Sequence, residues 1–287
     1  MRKLLFLFAV GLLAANGLFA QTAVAPKVTE AKLTSKLMQR DMPYRVVLPE
    51  AYATSKDERY PVIYLLHGLF GSSANWTAMT KLTEYARAYK VIIVTPEGEN
   101  GWYTDSPVKA ANKYESYIVK ELIPEIDAKY RTIAKRESRA IAGLSMGGYG
   151  ALKFGVKNSE MFSLAGSFSG AVGAVTYDVG PAAQTMSAIA KTIGEAYGPI
   201  GSDTRKANDL FALYRDLSAE KIKGLPYIYL DCGTENFLFQ NNRDFLNILI
   251  QKKIPHEYRQ LPGAHDWKFW DKQIQGFLRL ASERVKQ

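Results

Sequence analysis

Ser145 carries the first chemistry that the sequence suggests. It stands in Gly143-Leu144-Ser145-Met146-Gly147, after the apolar, strand-length run Arg139 to Ala142 and before the helix-compatible run Gly148 to Val156. The G-x-S-x-G spacing between a strand and a helix is that of an elbow that lifts a serine hydroxyl into the open. The turn is so sharp that side chains two residues to either side would meet backbone, and Gly143 and Gly147 leave that space free. The N–H of Met146 and the positive end of the following helix then face the place where an oxyanion would form. The chemistry implied is acyl transfer through a covalent serine intermediate.

A serine hydroxyl needs a base, and imidazole suits the task near neutral pH. The chain has three histidines, His67, His256 and His265. His265 lies in Pro262-Gly263-Ala264-His265-Asp266, between the last apolar strand and the closing helix. That is the position of histidine in the serine–acid–histidine order of an α/β hydrolase. His256 reads as a surface residue, and His67 as a loop-fixing hydrogen-bonding group. A second oxyanion donor is expected from the loop His67-Gly68-Leu69, with the Leu69 N–H nominated because Gly68 lets backbone approach the substrate. The acid that would hold the imidazole should follow the strand ending at Asp231, in Gly233-Thr234-Glu235-Asn236. Glu235 is the carboxylate in that turn, while Asp231 points back along the strand and Asp266 is too near His265 in sequence. Trp102, Tyr103, Trp267 and Trp270 flank the loops that should meet at the site. They suit an acyl or sugar pocket, and equally suit core packing. No metal-ligand spacing, phosphate loop or dinucleotide fingerprint stands out, so neither a metal nor a cofactor is expected.

These residues need a scaffold, and the chain supplies an alternating one. Runs 35–39 and 44–48 predict two antiparallel strands, and residues 21–34 read as a loose lead-in. Strand-length apolar runs recur at 61–66, 91–95, 139–142, 162–169, 225–231 and 257–261. Helical spacing covers 75–89, 114–130, 148–156, 240–252 and 267–285. The alternation predicts an α/β fold with a mostly parallel central sheet and helices on both faces. Residues 170–224, rich in glycine with helical patches between, break the rhythm and read as a cap-like insertion over the active site. The whole of 35–287 reads as one domain.

Residues 1–20 look like an export signal: Arg2 and Lys3, an apolar run from Leu4 to Ala15, and Ala20 before Gln21. The apolar run is too short for a stable membrane anchor, and a periplasmic or secreted location is expected. Cys232 is the single cysteine, so an intramolecular disulfide is impossible. The formal charge of +9 comes from scattered Lys and Arg. Without basic runs and interleaved aromatics this is a solvated surface, and no nucleic-acid partner is expected.

Taken together, Tyr44-Arg-Val-Val-Leu-Pro49, Tyr60-Pro-Val-Ile-Tyr-Leu-Leu-His-Gly-Leu-Phe-Gly71, Tyr117-Ile-Val-Lys-Glu-Leu-Ile-Pro124, the elbow and Gly263-Ala-His-Asp-Trp267 carry a resemblance. Over residues 35–280 the chain resembles the α/β-hydrolase family of esterase D, tributyrin-type esterases, S-formylglutathione hydrolases, feruloyl and acetylxylan esterases and mycolyltransferases. The resemblance places the nucleophile at Ser145, the histidine at His265 and the oxyanion donors at Leu69 and Met146. It implies an exported serine carboxylesterase acting on a small-molecule or carbohydrate-linked ester, such as an acetyl or feruloyl ester. The family's turn after Asp231 usually reads Gly-x-x-Asp, and its aspartate falls on Asn236 here. So either Glu235 takes the role, or the enzyme is weakened, or the chain is a non-catalytic glycan-binding relative. An acyltransferase of the same fold is the other alternative. The sequence does not fix the oligomeric state.

Overall fold

A computed structural model describes residues 28–177 and 188–286. The export segment expected over 1–20, and residues 178–187 of the expected insertion, lie outside the described residues. The described chain opens with β1 (Val28–Ser35) and β2 (Arg40–Val47), paired antiparallel from Val28 opposite Val47 to Ser35 opposite Arg40. This corrects residues 28–34 of the lead-in expected over 21–34, the rest of which lies outside the described residues, and the strand expected at 35–39, since residues 36–39 form the turn. The signal for β1 was faint because an edge strand needs little apolar surface. Val28, Ala31 and Leu33 reach the core, while Glu30, Lys32 and Thr34 face solvent.

The rest follows the predicted alternation. β3 (Val62–Leu66) leads to α1 (Asn75–Met79) and α2 (Leu82–Tyr85), and then β4 (Ile92–Pro96). α3 (Tyr114–Tyr117) runs through a π-helical turn at Ile118–Leu122 into α4 (Ile123–Lys129). β5 (Arg139–Leu144), α5 (Met146–Lys157) and β6 (Leu164–Phe168) carry the elbow and its neighbour. Four helices follow, α6 (Ala188–Tyr197), α7 (Asp203–Ala207), α8 (Leu210–Arg215) and α9 (Ala219–Lys223). β7 (Tyr227–Gly233), α10 (Phe239–Gln251), β8 (His256–Leu261) and α11 (Trp267–Arg284) complete the order.

The eight strands form one sheet in the order β1-β2-β4-β3-β5-β6-β7-β8. β3 to β8 pair in parallel, and β2 joins β4 antiparallel. Successive side chains of a strand point to opposite faces, so a strand buried on both faces must be apolar throughout. On β3, Val62, Tyr64 and Leu66 enter one core with α3, α4, α5 and α10, while Ile63 and Leu65 enter the other with α1, α2 and α11. Because these strands are parallel, the loops after β3, β5, β7 and β8 emerge at one edge, where a doubly wound sheet places its site. α6 and α8 pack against α5, and α7 ends beside it. The Tyr149 hydroxyl donates to the Asn208 carbonyl at 2.8 Å, and the Tyr214 hydroxyl to that of Leu152 at 3.0 Å.

Candidate active site

The elbow forms as its spacing predicts. Ser145 takes φ 53° and ψ −115°, a conformation that L-residues rarely adopt. Three backbone bonds hold it: the Ser145 N–H donates to the Phe168 carbonyl at 2.9 Å, and the Tyr149 and Ala171 N–H groups donate to its carbonyl at 3.1 and 3.0 Å. A Cβ on Gly147 would stand 2.6 Å from the Leu66 carbonyl oxygen and 2.7 Å from that of His67. Backbone on both sides leaves no way to relieve that clash, so only glycine closes α5 against β3.

The loop after β3 comes equally close. A Cβ on Gly68 would lie 2.5 Å from Leu144 Cδ1 and 3.4 Å from Ser145 Cβ. The Gly68 carbonyl accepts from the Gly71 N–H at 3.1 Å and lies 2.7 Å from His67 Nδ1. In a trans peptide the next N–H points opposite to that carbonyl, so pinning the Gly68 oxygen sets the direction of the Leu69 N–H. His67 is anchored in turn. Its Nε2 lies 3.0 Å from Glu97 Oε1, and the Glu97 carboxylate accepts from the N–H groups of Ser73 at 3.0 Å and Glu99 at 2.8 Å. Burial alone would raise the Glu97 pKa, but these hydrogen bonds and the charge of His67 outweigh it and hold the carboxyl below its usual range. Sequence reasoning missed Glu97. Its one signal was an acidic residue just beyond the apolar run 91–95, after Pro96.

His265 and Ser145 come together from strands far apart in sequence, with Nε2 3.0 Å from Oγ. The group on the other side of the ring is Asn236. Its Nδ2 lies 3.0 Å and its Oδ1 3.2 Å from His265 Nδ1, and Oδ1 also accepts from the Leu238 N–H at 2.9 Å. That last bond orients the amide. One oxygen can then accept from Leu238 N–H and from a protonated Nδ1 together, which leaves Nε2 free to take the Ser145 proton. The same amide also offers Nδ2–H to an unprotonated Nδ1, a tautomer in which Nε2 is not a base. The His265 pKa is lowered to about 4 because burial disfavours the imidazolium, and the charge of Asp266 offsets this only in part. Asp266 itself caps α11, accepting from the Phe269 N–H at 2.9 Å.

Glu235 does not reach the imidazole, which corrects its expected place as the acid. It faces out of the turn, while Asn236, next in sequence, faces in and is 4% exposed. The Glu235 carboxylate accepts from the Gly263 N–H and, at 2.7 Å, from the Thr234 hydroxyl, and the Glu235 N–H donates to the Gly263 carbonyl at 3.1 Å. Glu235 therefore clamps the loop that carries His265 to the turn that carries Asn236. Asp231 is buried, accepts from the Tyr229 hydroxyl at 2.9 Å, and is raised to about 8 by burial despite that bond and the charge of Arg259.

Ser145 and His265 open onto a cleft of about 410 Å³ lined by Gly68, Leu69, Phe70, Asn75, Trp267 and Trp270 among others. Trp267 thus lies where a substrate-contacting residue was expected, but Trp102 and Tyr103 do not. Both are core residues, at 3% and 0% exposure. The Trp102 indole N–H donates to Thr192 Oγ1 at 3.0 Å, and the Tyr103 hydroxyl to the His67 carbonyl at 2.9 Å. The buried Lys153 ammonium donates to the Tyr103 carbonyl and pairs with Glu115 at 3.0 Å, which fixes this loop beneath the site. Two aromatic residues that the sequence did not single out flank Ser145 and His265. Phe70 is 60% exposed, and Phe237, 74% exposed, has its ring centroid 4.7 Å from that of His265.

Comparison with known proteins points to one family. The family described as "Putative esterase" matches residues 35–280. An acetyl esterase of Caldicellulosiruptor saccharolyticus is 31% identical over 258 residues, covering 86% of this chain and 95% of that protein. The mouse S-formylglutathione hydrolase is 26% identical over 256 residues, covering 79% of this chain and 83% of that enzyme. Among solved structures, a ferulic acid esterase superposes with a TM-score of 0.79 at 29% identity, covering 90% of this chain and 98% of the other.

Proposed function

The chain belongs to this esterase family of α/β hydrolases and is a carboxylic ester hydrolase, and from that premise we propose that it works through an acyl-enzyme on Ser145. The observation that carries the proposal is the 3.0 Å approach of His265 Nε2 to Ser145 Oγ at the mouth of an open cleft. In this mechanism His265 takes the hydroxyl proton as Ser145 attacks the ester carbon. The N–H groups of Leu69 and Met146 receive the oxyanion. The proton then goes to the leaving alcohol, and water activated by His265 releases the acid. Asn236 orients the ring. The names of the relatives support acetyl or feruloyl esters as candidate substrates. The non-catalytic alternative keeps one specific support, the neutral amide at Asn236. Both readings meet in one experiment: the chain should hydrolyse p-nitrophenyl acetate and butyrate, and acid-quenched protein should carry the acyl group on the peptide with Ser145. A folded protein that does neither points to glycan binding instead.

We further propose export, supported by Arg2, Lys3 and the apolar run after them. N-terminal sequencing of the purified native protein should then begin near Gln21, and retention of Met1 would contradict it.

The pH dependence follows from His265. It must be neutral to act as base, and its pKa is lowered to about 4. The acid limb of kcat/KM should therefore fall near pH 4 and not near the ordinary imidazole value of about 6.5. The same shift couples to stability. Below about pH 6.5 the unfolded chain binds a proton at this position that the folded chain refuses, so the contribution of His265 is complete above that pH and is lost as pH falls toward 4. A rate profile on a p-nitrophenyl ester checks the first point, and an acid limb near 6.5 would refute it.

A further inference from the structure

The neutral amide beside His265 sets a rule for which esters this site turns over, an inference that rests on Ser145 and His265 as nucleophile and base. As the Oγ–C bond forms, the Ser145 proton moves to Nε2 and the ring becomes an imidazolium. Its immediate surroundings are the Asn236 amide, the Ser145 oxygen and the rings of Phe237 and Trp270. The nearby carboxylates are engaged elsewhere, Asp266 on the Phe269 N–H and Glu235 on the Gly263 N–H and Thr234 hydroxyl. No described carboxylate is hydrogen-bonded to the ring, so the cation is half-buried and offset only in part, by the charge of Asp266.

The cost of that cation falls unequally on different substrates. When the leaving group is the alkoxide of a simple or sugar alcohol, the tetrahedral intermediate collapses only as the imidazolium returns its proton to the departing oxygen. The cation must then be fully formed on the way. When the leaving group is a phenolate, an enolate or a thiolate, the C–O or C–S bond breaks without that proton, which stays on His265 and passes to solvent. Within acylation attack is then the slow step, and at its transition state the proton is only partly transferred, so the imidazolium is only partly developed. We propose that this site is built for esters and thioesters of acidic leaving groups, phenols and thiols foremost, and handles esters of sugar hydroxyls more slowly.

The cleft suits an aryl leaving group. Phe70, Phe237 and Trp267 stand around the catalytic pair. Phe70 is presented by a backbone at φ 60°, held there by the Asn100 side chain, whose Oδ1 accepts from the Phe70 N–H at 2.8 Å. Left-handed backbone and an exposed phenyl ring both cost free energy, and such costs cluster at sites of recognition. The rule applies to Ser145 as well. Deacylation adds water to the acyl carbon and expels the Ser145 oxygen as an alkoxide that needs the imidazolium proton, so the acyl-enzyme should accumulate.

The test is a set of acetate esters that share one acyl group, from p-nitrophenyl through p-methoxyphenyl to ethyl acetate. In the native protein kcat/KM should fall steeply with rising leaving-group pKa, with a burst of phenol on the fast members. Asn236→Asp should speed ethyl acetate at least about tenfold more than it speeds p-nitrophenyl acetate. Equal factors for the two esters, or a shallow native slope without a burst, would overturn the proposal while leaving the esterase standing. Hydrolysis that persists unchanged in Ser145→Ala would overturn both. If Asn236→Asp fails to fold, the native slope and burst decide alone.

Discussion

Asn236→Asp should raise kcat/KM on ethyl acetate by about 10²- to 10⁴-fold at neutral pH. The upper figure is what the opposite change, aspartate to asparagine, costs an intact serine–histidine–aspartate triad, largely by favouring the wrong tautomer. Here the geometry for the gain already exists. Oδ1 of residue 236 accepts from the Leu238 N–H and stands 3.2 Å from His265 Nδ1, and an aspartate oxygen keeps both contacts. The other carboxylate oxygen replaces the Nδ2–H that supports the inactive tautomer, so Nδ1 must hold the proton and Nε2 becomes the base. The new charge also stabilises the imidazolium. The variant should therefore show a His265 pKa raised from about 4 toward neutrality, and an acid limb of kcat/KM that moves up with it. The partial loss expected from burying a carboxylate at a position 4% exposed is offset by those two donors. A pH–rate profile of the two proteins on one ester distinguishes the outcomes: an unchanged rate with an unmoved acid limb would mean that Asn236 does not govern the imidazole.

The same residue shows where legibility in the sequence ends. Ser145 and His265 could be read because each obeys a local rule. An elbow needs glycine where backbone closes on backbone, and the base must follow the last strand of a parallel sheet. Glu235 and Asn236 are adjacent in one turn, and which of them faces the imidazole depends on tertiary bonds, from Glu235 to Gly263 and from Leu238 to Asn236 Oδ1, that no local pattern encodes. Trp102 and Tyr103 failed for a related reason. Aromatic residues in a loop at a strand end suit a pocket and a core equally, and partners from distant segments, Thr192, His67 and Lys153, decided for the core. β1 escaped notice because its edge position asks for few apolar residues, and only its pairing with β2 defines it.

Ser145→Ala should reduce kcat/KM on p-nitrophenyl acetate by about 10³- to 10⁴-fold, less than the roughly 10⁶-fold loss of a complete triad. The reason is that nucleophile, base and acid act as one unit, and a chain with a neutral amide in the third place has less triad catalysis to lose. What survives the substitution is the work of the oxyanion donors, the N–H groups assigned to Leu69 and Met146, together with binding in the cleft. The coupling makes a stricter demand than either single change. A carboxylate at 236 can help only through His265 acting on Ser145, so Asn236→Asp introduced into Ser145→Ala should gain nothing, and the loss caused by Ser145→Ala should grow in the Asn236→Asp background by the full factor that the aspartate contributed. A four-protein cycle measures this directly. If the aspartate accelerates hydrolysis even without Ser145, it is serving as a base for water on its own, and the line Ser145–His265–Asn236 is not the catalytic unit of this esterase.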